Sequence, residues 1–328
     1  MSQTLLVTGG AGYIGSVTAQ LLLRSGYRVL VLDSLETGRR QAVPAETTFI
    51  QGDLRDAGLL DAVMRDEPID AVVHFAAYSQ VGESVRNPDR YFNNNVHGGH
   101  TLLNAMRDHG VGRIVFSSTA AVYGNPEQVP IIEQSRTAPV NAYGRSKLAF
   151  EYLLHSYEEA YGIRHAVLRY FNACGATETH GEDHDPETHL IPLTLQVALG
   201  QREAISIFGT DYDTPDGTCI RDYIHVADLA DAHRRALERI TRQSLTCNLG
   251  NGRGFSVREV IETCRTVTGH EIPAVACDRR PGDPARLTAS AKAAEEQLGW
   301  RPQHRELRDI IESAWQWHQA HPNGYGRE

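Results

Sequence analysis

The first half of the chain alternates short runs of β-branched and leucine residues with longer stretches whose apolar residues recur at helical spacing. These patterns predict strands and helices in turn, since the short runs end in glycine, asparagine or aspartate. The predicted strands are Thr4–Thr8, Arg28–Leu32, Thr48–Gln51, Ala71–Phe75, Arg113–Ser117 and His165–Tyr170. The main predicted helices are Tyr13–Ser25, Ala57–Arg65, Asn87–His109 and Ala142–Tyr161. Such alternation indicates parallel crossover units, so the predicted fold class is α/β with a doubly wound parallel sheet.

The rhythm changes after Asn172. A polar loop is followed by predicted helices at Leu190–Leu199, Val226–Thr241 and Val257–Val267, with a strand at Thr246–Leu249 and two further helical stretches at the C-terminus. We therefore expect residues 1–172 to form a nucleotide-binding domain. Residues 173–328 are expected to form a smaller, mixed α/β substrate domain, from which the chain could return to the first domain.

A glycine-rich turn follows the first predicted strand. Gly9 and Gly12 precede a predicted helix that begins at Tyr13, and Ile14 and Gly15 lie in its first turn. Glycines at such a turn let a pyrophosphate approach bare N–H groups at the helix N-terminus, where the helix dipole favours an anion. Asp33 ends the second strand 18 residues beyond Gly15. An acid there accepts hydrogen bonds from ribose hydroxyls and repels a 2′-phosphate, so NAD is favoured over NADP.

Ligands of doubly wound sheets bind at the carboxyl ends of the strands. Residues in these places therefore become candidates for cofactor contacts. Asp53, next to Leu54, suits the adenine amino group, and the small Ala76 and Ala77 after Phe75 would let the cofactor pass close to the backbone.

Tyr143 and Lys147 stand four residues apart in a predicted helix, hence on one face of it. A tyrosine with a pKa of about 10 is a poor base at neutral pH, and a neighbouring ammonium group lowers that pKa. Ser117 and Thr119, at the end of a strand, offer hydroxyl groups that can hydrogen-bond an alcohol of the substrate. This combination predicts a tyrosine general base supported by lysine and threonine.

Composition narrows the possible partners and compartment. The chain has 328 residues, 41% of them hydrophobic, and a net charge of −9, which argues against a general nucleic-acid or membrane surface. The five cysteines are scattered and contain no C-x-x-C pair, which is typical of reduced thiols. The first strand begins by Thr4 and leaves no room for a targeting segment, so we expect a cytoplasmic protein.

A polar segment invites a metal-site interpretation that we do not favour. Its side chains are His180, Glu182, His184, Asp185, Glu187 and His189. The spacing matches neither a helical H-x-x-x-H face nor a Cys/His motif, and glycine and proline mark a loop. We expect a polar lid and no metal.

Several motifs together resemble the extended short-chain dehydrogenase/reductase family. They are Thr8–Gly15, the Tyr143/Lys147 pair and Arg169–Asn172. Further stretches are similar to the branch of that family that epimerises UDP-sugars at carbon 4. These stretches are His74–Ala77, Val81–Ser84, Asn93–Val96, Ser117–Gly124 and Arg221–Val226. The similarity runs essentially from end to end.

The resemblance implies a Rossmann-type domain with tightly held NAD, a smaller domain for a UDP-sugar, and a homodimer formed through Asn87–His109 and Ala142–Tyr161. It also implies the reaction. Tyr143 as phenolate removes the proton of the sugar 4-hydroxyl while hydride passes to the nicotinamide, and the ketone then turns over and takes the hydride back on its other face. Glucose and galactose are the expected sugar pair.

The motifs and the resemblance together assign the site residues. The expected catalytic residues are Tyr143, Lys147 and Thr119. The expected cofactor-binding residues are Gly9, Gly12, Tyr13, Ile14, Gly15, Asp33, Asp53, Leu54, Phe75, Ala76, Ala77, Asn95, Ser117, Tyr143, Lys147 and Tyr170. The expected substrate-binding residues are Thr119, Tyr143, Phe171, Asn172, His189, Leu190, Phe208, Arg221, Arg280, Asp283 and Leu287. By resemblance, Arg221 and Arg280 meet the pyrophosphate and Asp283 the uridine ribose.

Three positions depart from the family pattern. Ser79 stands where some relatives carry a lysine that reaches the cofactor, and His189 replaces an asparagine found in some members. Leu287 stands where relatives vary between tyrosine and a small residue, so it leaves tolerance of N-acetylated sugars open.

Three other functions are alternatives to the expected epimerase. The sequence distinguishes poorly between the expected glucose/galactose epimerase and a 4-epimerase of another UDP-sugar, such as an N-acetylhexosamine, pentose or hexuronate. A dehydratase needs an acid/base pair where this chain has Ala120 and Ala121. An inactive NAD-sensing regulator has no need of the intact Thr119, Tyr143 and Lys147.

Overall fold

The computed structural model describes residues 2–280 and 283–326. Its strands, in chain order, are β1 (Thr4–Thr8), β2 (Arg28–Asp33), β3 (Thr48–Gln51), β4 (Ala71–His74), β5 (Arg113–Thr119), β6 (Arg164–Tyr170), β7 (Asn172–Cys174), β8 (Ile205–Phe208), β9 (Ile220–His225), β10 (Leu245–Leu249), β11 (Gly254–Ser256), β12 (Ala274–Cys277) and β13 (Arg286–Leu287). Its α-helices are α1 (Tyr13–Arg24), α2 (Ala57–Asp66), α3 (Val81–Arg86), α4 (Pro88–Tyr91), α5 (Gly99–Asp108), α6 (Ala142–Tyr161), α7 (Leu190–Ala198), α8 (Val226–Arg239), α9 (Val257–Thr268), α10 (Lys292–Leu298) and α11 (Leu307–Ala320).

The large sheet has seven parallel strands in the order β10-β6-β5-β4-β1-β2-β3. The order reverses direction between β1 and β4, which is the switch point where doubly wound sheets bind ligands. All six predicted strands of the first half are present, with bounds within two residues of the prediction. The predicted α/β fold is confirmed.

The seventh strand comes from the second half of the chain. Leu245–Leu249 pairs in parallel with Ala166–Tyr170 at the edge of the sheet. The chain therefore returns to the large sheet well after residue 172, a possibility that the sequence left open.

Each face of the large sheet has its own apolar core. On one face Leu22 of α1, Leu229 of α8 and the indole of Trp300 pack against strand residues such as Val7. On the other face α2, α5 and α6 supply residues such as Leu60, Leu102 and Phe150. This two-sided burial explains why the strands read as nearly continuous hydrophobic runs.

The remaining strands form two small sheets. β9 pairs with β11, β13 and β7, and β12 pairs in parallel with β8. A third core joins α7, α9 and α11 beside these strands. The strands β7, β8, β9, β11, β12 and β13 were not predicted, because they are short and carry no sustained alternation of apolar and polar residues.

The predicted helix Asn87–His109 is interrupted. Pro88–Tyr91 and Gly99–Asp108 are α-helical, but Phe92–Gly98 between them is a π-helical turn. The turn contains Asn95, whose buried amide accepts a hydrogen bond from the Tyr78 N–H at 2.9 Å and donates to Ser146 Oγ at 3.0 Å. Such π-turns concentrate at functional sites.

In the described part of the chain, every helix is too short or too polar to cross a membrane.

Candidate active site

The glycine turn is closed too tightly for side chains at two of its positions. Gly9 has φ +74°, and a Cβ there would lie 2.4 Å from the backbone nitrogen of Ala76. A Cβ on Gly15 would lie 2.2 Å from the carbonyl oxygen of Gly9. Glycine is therefore required at both positions, and the turn is brought against the segment after β4.

The helix that follows this turn offers free hydrogen-bond donors. Gly12 is the N-cap of α1 and provides no side-chain cap, so the first N–H groups, including those of Tyr13 and Ile14, have no partner within the helix. Asp33 accepts a hydrogen bond from Ala11 N–H at 2.9 Å and so fixes the turn beside the end of β2. These open N–H groups at a switch point fit the pyrophosphate of a dinucleotide.

Other predicted cofactor residues lie along the same edge of the sheet. The Asp53 carboxylate is held by the Arg55 guanidinium at 2.9 and 2.5 Å. The adjacent Leu54 is buried, and Phe75 packs against His233 with ring centroids 4.6 Å apart. The phenol of Tyr13 donates to Gly175 O at 2.5 Å, so only the backbone of Tyr13 faces the proposed pyrophosphate position.

Helix α6 places Tyr143 and Lys147 beside the ends of β5 and β6. The helix begins at this point because the side chain of Asn141 accepts a hydrogen bond from Gly144 N–H at 2.8 Å. Lys147 is buried, and its ammonium group donates to the carbonyl of Ser117 at 2.8 Å. Burial lowers the pKa of Lys147 to about 7, against the opposing effect of Glu151. The Ser117 hydroxyl is also hydrogen-bonded to the phenol of Tyr170.

Thr119, at the end of β5, is the side chain that acts on the acidity of the Tyr143 phenol. Burial raises the pKa of Tyr143, and the hydrogen bond with Thr119 is the interaction that opposes this rise. Thr119 Oγ1 already accepts the N–H of Ala121 at 3.1 Å. Its hydroxyl proton is not used in that bond, and donation of this proton to the phenol oxygen would favour the phenolate. Lys147, which the sequence suggested for this effect, is directed to Ser117 instead.

A buried network behind these residues was missed by the sequence analysis. Glu151, four residues after Lys147 on α6, accepts from the Arg169 guanidinium at 3.0 and 2.5 Å and from Ser118 Oγ at 2.5 Å. Arg169 also donates to the phenol oxygen of Tyr123 at 2.9 Å. The continued i, i+4 spacing from Tyr143 through Lys147 to Glu151 was the signal that could have revealed it.

The predicted substrate residues of the second half meet around β9. The Arg221 guanidinium is paired with Asp283, and Asn172 Nδ2 donates to Asp222 O at 2.9 Å. The Arg280 guanidinium lies 3.9 Å from the centre of the Phe208 ring. Pro281 and Gly282 of the predicted basic turn lie outside the described residues.

Two further predicted substrate residues pack together near the catalytic helix. Phe171 and Leu287 contact the buried cluster of Val122, Tyr123 and Ile131. Leu287 also pairs with Arg221 in strand register. The side chain proposed to discriminate sugars is therefore anchored to the strand that carries a proposed pyrophosphate ligand.

His189 is held by carboxylates and precedes Leu190, the first residue of α7. Its Nδ1 lies 2.8 Å from Glu182 Oε1 and 2.8 Å from Glu187 Oε1. Burial alone would lower the pKa of His189, but the two carboxylates outweigh it and raise that pKa well above its usual value. The same balance raises the pKa of His184 to about 9. The loop thus gathers two glutamates and two histidines that the sequence only placed nearby.

The chain matches the model of the NAD dependent epimerase/dehydratase family over residues 5–250. It is 56% identical to a UDP-glucose 4-epimerase of Halalkalibacterium halodurans, covering 99% of this chain and 98% of that protein. A crystal structure of a UDP-glucose 4-epimerase superposes with TM-score 0.97 at 52% identity, covering 99% of this chain and 100% of the other.

A UDP-glucose 4-epimerase of Bifidobacterium longum in complex with NAD+ and UDP superposes with TM-score 0.93 at 40% identity, over 98% of this chain and 100% of that one. Family match, full-length identity and the glycine turn beside the Thr119–Tyr143–Lys147 constellation all agree. The chain belongs to the NAD-dependent epimerase/dehydratase family.

Proposed function

We propose that this protein is an NAD-dependent isomerase that interconverts UDP-glucose and UDP-galactose at carbon 4 of the sugar. The observation that carries the proposal is that Thr119, at the end of β5, and the buried Lys147, one turn after Tyr143 on α6, stand at the same sheet edge as the glycine turn after β1. Relatives of about half identity over their full length that are named UDP-glucose 4-epimerases support this substrate pair.

The residues of the chain have separate roles in this reaction. When bound, NAD+ supplies the acceptor for the hydride of carbon 4 and gives the same hydride back. Tyr143 takes the proton of the 4-hydroxyl and later returns it, and Thr119 stabilises the phenolate that the proton transfer requires. Lys147 donates to the carbonyl of Ser117 in β5, on the same helix face as Tyr143. Because the hydride returns to the same carbon, the reaction has no net oxidation.

Arg221 and Arg280 are suited to bind the diphosphate because guanidinium groups form bidentate bonds with phosphate oxygens. In the ligand-free chain Arg221 is neutralised by Asp283. We therefore propose that Asp283 exchanges this partner for the uridine ribose when UDP-sugar binds.

The proposal is tested with Tyr143→Phe. We expect epimerisation of UDP-galactose to fall by orders of magnitude, while NAD still copurifies with the protein. Unchanged turnover would remove Tyr143 from the role of base. Tyr27→Phe, directly before β2 and hence at the sheet edge opposite the site, makes the same loss of a phenol hydroxyl and should retain activity.

The sugar is tested by incubating the protein with UDP-galactose and, separately, with UDP-N-acetylgalactosamine, without added reductant. Conversion of UDP-galactose alone fits a restrictive Leu287, and conversion of both identifies a dual-specificity enzyme. Conversion of neither, with NAD bound, would redirect the search to pentose and hexuronate substrates and then to a regulatory role.

We further propose a homodimer formed by the α4–α5 region and α6. Several apolar side chains of these elements are exposed in the single chain, and a symmetric contact between two helix pairs would cover them. These residues are Phe92 (40% exposed), Tyr152 (61%) and Tyr161 (52%). Sedimentation of the purified protein measures whether it is a dimer.

We also propose a cytoplasmic location, which the five free thiols of the chain support.

A further inference from the structure

The loop before α7 brings four side chains with metal-binding atoms close together. They are Glu182, His184, Glu187 and His189, and one donor atom from each lies within 4.8 Å of all the others. Their spacing in the sequence matches no helical or Cys/His metal motif, and for that reason no metal is expected from the sequence. In the structure a bend in the loop brings the four side chains together, and sequence motifs of regular spacing do not describe such a bend.

The distances within this cluster resemble the edges of a tetrahedron. His184 Nδ1 lies 3.0 Å from Glu182 Oε1 and 3.7 Å from Glu187 Oε2, and His189 Nδ1 lies 2.8 Å from Glu182 Oε1 and 2.8 Å from Glu187 Oε1. With Zn–N and Zn–O bonds of about 2.0–2.2 Å, neighbouring ligands of a tetrahedral ion stand about 3.4 Å apart. Glu187 is measured here from both of its carboxylate oxygens and would supply one of them, and shifts of about 0.6 Å would bring the cluster to the ligand spacing of one ion.

The two glutamates of the cluster are buried, and its two histidines are partly exposed. The side chains of Glu182 and Glu187 are only 5% and 6% exposed, whereas those of His184 and His189 are 32% and 45% exposed. Within the described residues, these two carboxylates form ion pairs with the two histidines alone. Buried carboxylates without lysine or arginine partners favour a bound cation, and the partly exposed imidazoles leave it a path of entry.

Contacts around the cluster hold the loop, and among the ligand atoms Glu187 Oε1 also accepts the N–H groups of Thr188 and His189 at 2.6 and 2.7 Å. Arg39 donates to Asp183 at 3.1 Å, and His180 is hydrogen-bonded to Ala42 O at 3.0 Å. The ring of Tyr13 meets that of His184 edge-on at 6.2 Å. The ligand positions are therefore fixed from the side of the large sheet before any ion binds, which lowers the entropy cost of binding.

We propose that Glu182, His184, Glu187 and His189 form a binding site for one divalent transition-metal ion of the zinc type. Two imidazole nitrogens and two carboxylate oxygens suit zinc, whereas magnesium and calcium take oxygen ligands. Four protein ligands close the coordination sphere, so the ion has a structural role. It ties the loop of residues 180–189 to the start of α7, and it assigns His189, which the resemblance placed among the substrate contacts, to the metal.

The test uses the intact protein after treatment with EDTA and dialysis. Titration with Zn²⁺ in a calorimeter is expected to show one ion per chain, and thermal unfolding should move to higher temperature with Zn²⁺ present. Co²⁺ as a spectroscopic probe should give the intense visible absorption of a tetrahedral ion. Absence of stoichiometric binding, or the weak absorption of a six-coordinate ion, would overturn the proposal and leave only a cluster of ion pairs.

Variants locate the ion. His184→Ala and, separately, Glu182→Gln should lose stoichiometric Zn²⁺ binding, with NAD content and circular dichroism showing that each variant is folded. The matched control is His155→Ala, because His155, Glu158 and His165 form the other group of possible ligands in the described chain. The control should bind Zn²⁺ as the parent does. Loss of binding in His155→Ala but not in His184→Ala would place the ion elsewhere and refute the assignment.

Discussion

The carboxylate of Glu151 accepts two hydrogen bonds from the guanidinium of Arg169 inside the protein, at 3.0 and 2.5 Å. Both side chains are buried, and they join the catalytic helix α6 to strand β6. Because Glu151 lies one turn after Lys147, this ion pair determines how the helix presents its catalytic face to the end of β5. Arg169 belongs to one of the recognised motifs, whereas Glu151 lies outside all of them.

Removing one partner of this pair should be strongly destabilising. Arg169→Met leaves the Glu151 carboxylate buried without its counter-ion, and such a change costs about 3–5 kcal/mol. Urea unfolding followed by circular dichroism measures the loss. The double variant Glu151→Leu/Arg169→Met should recover much of the stability, since no lone charge then remains buried.

The exposed Glu159→Gln, on the same helix, is the control for this prediction and should change the free energy of unfolding little. If Arg169→Met were as stable as the control, the ion pair would not anchor the helix.

Thr119→Val should shift the pH dependence of catalysis. Valine cannot donate the hydrogen bond that favours the phenolate, so the pKa of Tyr143 should rise further. A hydrogen bond to a charged group contributes about 1.5–3 kcal/mol, so kcat at neutral pH should fall roughly 10- to 100-fold. The ascending limb of the kcat profile should move to higher pH, because more base is then needed to form the phenolate.

Thr119→Ser keeps the hydroxyl and should restore the parent profile. A Thr119→Val enzyme that lost activity equally at every pH would indicate a packing defect in place of the proposed hydrogen bond.

Gly15→Ala should disrupt the cofactor turn. The added methyl would lie 2.2 Å from Gly9 O, so the backbone must shift, at a cost of about 1–3 kcal/mol for overpacking. We expect a lower melting temperature and loss of copurified NAD, measured by absorbance after denaturation. Gly112→Ala is the comparison, because a Cβ at Gly112 has no atom within 4 Å, and it should retain both properties.

Leu287 should set the tolerance for a group at the sugar 2-position. Leu287→Ala is expected to raise kcat/KM for UDP-N-acetylgalactosamine relative to UDP-galactose by about 10-fold, since a few methylenes in a pocket are worth that much discrimination. Leu287→Tyr should change the ratio in the opposite direction. Paired assays with both substrates measure the ratio, and equal ratios in all three proteins would exclude Leu287 from specificity.

The sequence predicted the parts of the fold that have strong local signals. The strands of the first half were found because apolar runs buried on both faces are conspicuous, and α6 was predicted with its observed bounds. The π-turn at Phe92–Gly98 escaped prediction because it widens the helix over one short segment only, with i→i+5 hydrogen bonds, and the helical pattern on either side of it continues. Short strands such as β7 and β13 depend on their partners in β9, which no local pattern reveals.

The same distinction applies to the site. Tyr143, Lys147 and Thr119 could be assigned because each occupies a defined place on a helix or at a strand end. The direction of each side chain could not be assigned, since it depends on tertiary partners. The structure turns Lys147 toward Ser117 and Tyr13 toward Gly175, and the gathering of Glu182 with His189 results from a loop path that spacing alone does not specify.

The position of β10 has a consequence for how the molecule is made. One edge of β6 is unpaired until residue 249 has left the ribosome, and the face of the sheet behind it lacks α8 until residue 239 has done so. Synthesis of residues 1–172 alone therefore cannot complete the cofactor-binding sheet. Nascent chains shorter than this would expose a parallel strand edge that invites association. Folding of the cofactor-binding sheet is thus postponed until about half of the segment 173–328 has been synthesised, which couples the folding of the two halves.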